Sequence, residues 1–297
     1  GSGMAAGIWW GDSTGDMSAD DAGCLVYDSG KLLKPIQIVG TPKVCLKVEA
    51  SARQATWAVR LEDVSPSGKV SLVTGALANS SHREDRLAPS LVEPNQPYSL
   101  AIDLNFTTWT FKPGHRIRLA VGNAQFPMAW PNAEPMTVTL HTGVSQTSLA
   151  LPVVPPKAGK ALRLPKVSAK LESPHGHDID LGAEKPAVKR HWTHNSADGS
   201  TQYVSETNTA YQIKQRKFLV EGCNTWTTFD KEPWRSRYLG QMTTTIASRR
   251  RTFTLSTTIE VVSDQRNFNV TFTRQLSKDG RKIKRQVWQE SVARCFQ

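Results

Sequence analysis

The chain has 297 residues but only four cysteines, Cys24, Cys45, Cys223 and Cys295, with no C-x-x-C pair. That excludes a zinc-knuckle spacing and a disulfide-dense secreted scaffold, and it favours a reducing, cytoplasmic compartment over secretion. The sequence leaves open whether Cys24 and Cys45 bridge neighbouring strands. No run of 18 or more apolar residues occurs, so neither a membrane-spanning helix nor a membrane partner is expected. Heptads and amphipathic 3.6-residue periods are also missing, and no stretch predicts a helix longer than about two turns. A nucleotide-binding α/β core is therefore not expected, and no cofactor or resident metal is read from the residues. Gly1-Ser2-Gly3-Met4 reads as a tag remnant, and the residues after it start mid-pattern, so the chain is expected to be a piece of a longer protein.

Period-two alternation, cut by turns, is what the sequence does have. The pair Pro113-Gly114 makes a turn, because proline presets φ and glycine accepts positive φ. After it Ile117, Leu119 and Val121 alternate with Arg116, Arg118 and Ala120, a strand with one apolar face. Val44, Leu46 and Val48 share a face, as do Trp57, Val59 and Leu61, with Arg60 and Glu62 opposed. Tyr98, Leu100, Ile102 and Leu104 make another such run, and Ser65-Pro66-Ser67-Gly68 reads as a hairpin turn. Residues 151–165, LPVVPPKAGKALRLP, read as a semi-stiff linker, since Pro-Pro blocks helix and central strand alike. Beyond it Phe253, Leu255, Thr257, Ile259 and Val261 line one face, and Asp279-Gly280 is a strong hairpin signal. The expected fold is all-β: an antiparallel jelly-roll β-sandwich, then a second antiparallel β domain. The expected division is an arm over 1–20, a sandwich over 21–150, a linker over 151–166 and a basic unit over 167–297. Charge supports the step. Residues 1–150 hold 12 Lys and Arg against 13 Asp and Glu, whereas residues 151–297 hold 25 against 13.

Few residues suggest chemistry. Gly11-Asp12-Ser13-Thr14-Gly15 has the letters of a nucleophile elbow, which needs a strand before the serine and a helix after it. Asp16-Met17-Ser18-Ala19-Asp20-Asp21 is poor helix, so no catalytic residue is assigned. His175 and His177, with Asp178 and Asp180, read as a solvated loop between Pro174 and Gly176 rather than a metal site. Three basic clusters stand out: Lys214/Arg216/Lys217, Arg249-Arg250-Arg251 and Arg281-Lys282/Lys284-Arg285. Read as strands they do not make one face. Solvated faces are the first reading, an acidic partner surface the second and nucleic acid the last. Trp9, Trp10, Phe126 and Trp130, with Trp109, are candidates for a domain interface or a ligand-stacking platform, because aromatics bury large area.

The stretch FKPGHRIRLAVGNAQFPMAWPNAEPMTVTL resembles the C-terminal jelly-roll domain of the CocE/NonD serine hydrolases, relatives of cocaine esterase and X-Pro dipeptidyl-peptidase. DDAGCLVYDSGKLLKPIQIVGTPKVCLKVEA resembles the first strands of that galactose-binding-like domain, and the likeness runs in order from Trp9 to Leu140. Residues from about 168 on resemble the β-rich extension of larger members. The resemblance implies a non-catalytic portion that braces an α/β-hydrolase domain of the same parent protein, its natural partner, and shapes one side of the substrate cleft. The parent would cleave esters or amides. The alternative is a free-standing module that binds carbohydrate or a polyanion. The oligomeric state is not legible.

Overall fold

The computed structural model describes residues 3–10, 15–85, 87–143, 146–155, 179–180 and 187–296. The chain is all-β with antiparallel sheets. Among the described residues, ten strands make the first unit: β1 (Leu25–Asp28), β2 (Ile36–Gly40), β3 (Lys43–Ala50), β4 (Thr56–Val64), β5 (Val70–Asn79), β6 (Tyr98–Asp103), β7 (Thr107–Phe111), β8 (Arg116–Gly122), β9 (Val138–His141) and β10 (Ser148–Ala150). One sheet runs β1-β8-β4-β5. The facing sheet runs β10-β3-β6, with β9 also on β3, and β2 pairs with β7. The alternating apolar residues meet between the layers. Val44, Val48, Trp57, Val59, Leu61 and Phe111 are fully buried there, and Trp57 Nε1 donates to Tyr98 Oη across the sandwich at 3.0 Å. Hydrophobic burial on this scale is the main force holding the layers.

Eight further strands follow among the described residues: β11 (Ile179–Asp180), β12 (Ala187–Asn195), β13 (Ser200–Ile213), β14 (Arg216–Phe229), β15 (Arg237–Ala247), β16 (Thr252–Ser263), β17 (Asn267–Lys278) and β18 (Arg281–Ala293). From β12 to β18 each strand pairs antiparallel with the next, and β11 also lies on β13. The registers sort the side chains cleanly. One face carries Phe218, Ile246, Phe253, Leu255, Ile259 and Phe272; the other is rich in Thr, Gln and Asn. The β17–β18 hairpin closes on Asp279 at φ 51° and Gly280 at φ 79°, the positive pair that a two-residue turn of this hand requires.

Among the described residues, helix is confined to one four-residue turn, α1 (Ser18–Asp21), and a three-residue 3-10 turn at Ser80–His82. No helix among the described residues is long and apolar enough to cross a membrane. Several local expectations change. The arm expected over 1–20 ends in α1, which runs on to Asp21. Met4, read as part of a tag remnant, is 2% exposed and packs with Phe126 and Tyr203. The start of the expected linker is tied down: Val39 N donates to Pro152 O, and Val154 N donates to Gln37 O. Cys24 and Cys45 do not pair, and all four cysteines are free thiols.

Candidate functional site

Three places combine burial, charge and exposed apolar surface in ways that function could use. The first lies on the outer face of the β1-β8-β4-β5 sheet. Arg60 and Glu62 are two residues apart on β4, so both point away from the sandwich core, which takes Val59 and Leu61. The alternation suggests a solvated face, yet both side chains are fully buried. The reason is the N-terminal arm, which folds over them. Arg60 Nε donates to Glu62 Oε1 at 2.7 Å, Nη2 to Asp21 Oδ1 at 2.7 Å, and Nη1 to Gln125 Oε1 at 3.2 Å. Arg118 Nη1 donates to the other Asp21 oxygen at 2.8 Å, and its Nε and Nη2 grip Asp28. Next in the arm, Asp20 Oδ2 accepts from Ala5 N and Ala6 N, each at 3.1 Å. Asp16 Oδ1 accepts from Val70 N at 3.1 Å.

Two guanidiniums thus face three carboxyls. Burial pushes the Glu62 carboxyl up to about 8; Arg60 opposes that shift and the nearby Asp21 adds to it. A proton on Glu62 makes the cluster neutral. It also gives Glu62 Oε2, which has no donor in reach, a hydrogen to offer Asp21. Burial works against the Arg60 charge, but Glu62 and the other anionic neighbours outweigh it and hold the guanidinium above its ordinary value. The hydrogen bond from Arg118 holds Asp28 below the usual carboxylate range. Such a cluster adds little net stability over an apolar core, but breaking one partner costs about 3–5 kcal/mol. It therefore fixes where the arm lies.

The second place is the junction between the two β units. Between β8 and β9 the chain crosses through Phe126 and Trp130. Trp130 meets Phe126 edge-on at 6.0 Å and Phe268 of β17 at 5.6 Å, and its Nε1 donates to Ser263 Oγ at 2.7 Å. Met4 and Ile8 of the arm join Phe126, Tyr203 and Trp226 in the same cluster. Arg294 adds a bond to Pro131 O and lies over Phe268 at 4.8 Å. Of the four aromatics singled out in the sequence, Phe126 and Trp130 stand together here. Trp10 instead lies over Gly75 of β5, where a Cβ would come within 2.5 Å of the ring, and Trp9 is 65% exposed. Trp109 donates from Nε1 to Asp63 Oδ2 at 3.0 Å. Asp63 also holds His115 Nδ1 at 2.8 Å, so that histidine–carboxylate pair anchors β7 and β8 to β4.

The third place is a trough along the open side of the sandwich, between the edge strands β1 and β10. It measures about 380 Å³ and is lined by Tyr27, Ile117, Leu119, Leu149 and Leu151. Tyr27 is exposed on its wall, and Leu25 and Val26 of the same strand are exposed too. Contiguous apolar surface of this kind marks a contact with another domain more often than with solvent. The motif residues Gly11 to Thr14 and the histidines 175 and 177 lie outside the described residues. Among the described residues no group of three or more His, Cys, Asp and Glu gathers to hold a metal.

Residues 4–185 match the family model described as the X-Pro dipeptidyl-peptidase C-terminal non-catalytic domain. Cocaine esterase of Rhodococcus sp. (strain MB1 Bresler) is 33% identical over 108 residues, 36% of this chain and 18% of the esterase. A Mycobacterium bovis protein named as a serine esterase is 29% identical over 160 residues, 48% of this chain and 26% of its own length. Among solved structures, an α-amino acid ester hydrolase aligns with TM-score 0.45 and 27% identity, over 48% of this chain and 27% of that one. The chain therefore spans about a quarter or less of the length of these relatives.

Proposed function

The chain belongs to the X-Pro dipeptidyl-peptidase C-terminal non-catalytic domain family, and from that premise we propose that it is the bracing portion of a CocE/NonD-like serine hydrolase. The bonds the parent cleaves would be esters or amides, at a site carried by an α/β-hydrolase domain. The chain would hold that domain and shape one wall of its cleft. The observation that carries this is the apolar trough between β1 and β10, walled by Tyr27, with Leu25 and Val26 of the same edge strand also left exposed on the matched unit. A flat, polar sandwich edge would have nothing to offer a second domain.

The arm, the sandwich over 21–150, the connector over 151–166 and the basic unit over 167–297 would then act as one brace. The clasp at Arg60 seats the arm, and the arm, with Phe126 and Trp130, locks the second sheet. Phe126 and Trp130 would serve as an internal interface, whereas Trp9, the exposed member of the set, would be the one available to the catalytic domain or a ligand. Four free thiols fit a reducing, cytoplasmic setting. The test is association in trans: this chain mixed with the separately expressed remainder of its parent and followed by analytical ultracentrifugation. A stable 1:1 complex that Tyr27→Asp with Leu149→Asp disperses is expected. A complex indifferent to both substitutions would place the contact elsewhere and remove the support.

A further inference from the structure

The sheet β11–β18 has two unlike ends. At one, Trp226, Tyr238 and Phe268 lie toward the sandwich. At the other, three turns stand side by side. The register puts Lys217 opposite Ala247, Ala247 opposite Thr252, and Phe253 opposite Lys278, which faces Arg281. The segments 214–217, 249–251 and 278–285, scattered in sequence, thus converge on one rim. With strands about 4.8 Å apart, the six strands β13 to β18 spread it over roughly 24 Å. Arg249-Arg250-Arg251 form the turn between β15 and β16, not a strand, so the expectation that they fail to share a side does not apply. The one acidic residue in these segments, Asp279, is engaged by Thr252 N at 2.8 Å.

Directly inside this rim, on the apolar face, is a groove of about 340 Å³. Its floor is Ile246, Phe253, Leu255 and Leu276, all half-buried, and Arg274 and Lys284 stand on its β17–β18 side. Arg274 and Lys284 have no carboxylate partner among the described residues. The volume lies at the small-molecule end of ligand sites. An apolar trench with unpaired cations along one flank is complementary to a molecule with an apolar body and an anionic end. A nucleic acid would want stacking faces at the turns, which carry none. A bilayer would want bulky apolar residues at the turn tips, where Lys214-Gln215, the arginine triplet and Asp279-Gly280 stand instead.

We propose that this groove binds a single anionic amphiphile, its alkyl chain on Phe253, Leu255 and Leu276 and its carboxylate or phosphate head on Arg274 and Lys284. The site is separate from the trough between β1 and β10, so it stands or falls apart from the bracing role. The experiment is calorimetric titration of the whole chain with dodecyl phosphate below its micelle concentration. Saturable 1:1 binding is expected, weakened at least tenfold by Arg274→Glu with Lys284→Glu. Both positions are exposed, so the fold should hold, which a thermal melt checks. Leu255→Gln should weaken binding from the apolar side. Dodecyltrimethylammonium and inorganic phosphate, tail and head tested apart, should each bind at least tenfold more weakly. Equal binding of the cationic amphiphile, indifference to the charge reversal, or no binding at all overturns the proposal. So does co-sedimentation with phosphatidylglycerol vesicles in the absence of monomer binding, which would mean a surface rather than a groove.

Discussion

Replacing Glu62 by glutamine is the sharpest perturbation of the clasp that holds the arm. Its carboxyl is pushed up to about 8 from an ordinary 4.5 by burial, with Asp21 beside it. A carboxyl raised on folding stabilises fully below the unfolded value, and that stability is lost as pH rises through the folded value. Between about pH 4.5 and 8 the folded chain holds a proton that the unfolded chain releases. The slope is about 1.4 kcal/mol per pH unit, so on the order of 3–5 kcal/mol is lost across the window. Glutamine mimics the protonated acid: its oxygen can still accept from Arg60 Nε, and its amide can donate toward Asp21. Urea titrations at pH 5, 6, 7 and 8 read the effect. Wild type should lose stability steadily with pH, Glu62→Gln should not, and the variant should become the more stable of the two by pH 8. Glu62→Ala should lose the same pH dependence but lie about 3–5 kcal/mol below wild type at pH 5, a deficit that shrinks toward pH 8 as wild type gives up its own proton. Parallel profiles for wild type and Glu62→Gln would refute the buried-proton account.

Three further outcomes follow from the packing. Trp130→Ala removes the ring between Phe126 and Phe268 and the bond to Ser263, at a cost of about 3 kcal/mol or more; calorimetry should then resolve two transitions where wild type shows one. Asp20→Ala frees the Ala5 and Ala6 amides at a cost of about 1–3 kcal/mol; hydrogen exchange over 3–10 should speed up while β3 and β4 stay protected. Gly75→Ala drives a methyl into the Trp10 ring; the melt should fall and Trp10 emission should shift to the red, whereas Gly68→Ala, in an open turn, should leave that emission unchanged.

The sandwich was legible because its signal is local. Trp57-Ala58-Val59-Arg60-Leu61 alternates, and the core takes every second residue. The β17–β18 hairpin was legible for the same reason, since Asp279-Gly280 names its own turn. What alternation cannot say is whether the second face is wet. Nothing near Arg60 and Glu62 in sequence reveals that Asp21 and the arm before it fold back over them. A buried Asp20-Asp21 pair looks like any acidic loop until two arginines from β4 and β8 and the amides of Ala5 and Ala6 are placed around it. The basic clusters show the complementary limit. Lys214, Arg250 and Lys282 are far apart along the chain, and only the meander, with every second turn returning to the same end, sets them in a row. The junction at Phe126 and Trp130 depends on Ser263 and Phe268, more than 130 residues later, a pairing with no local signal.

A chain that braces a catalytic domain, as proposed, breaks no bonds itself, and hydrolysis of p-nitrophenyl acetate by the purified chain tests that most directly. The rate is expected to equal the buffer background and to be the same for Ser13→Ala. Turnover above background that disappears in Ser13→Ala would contradict it.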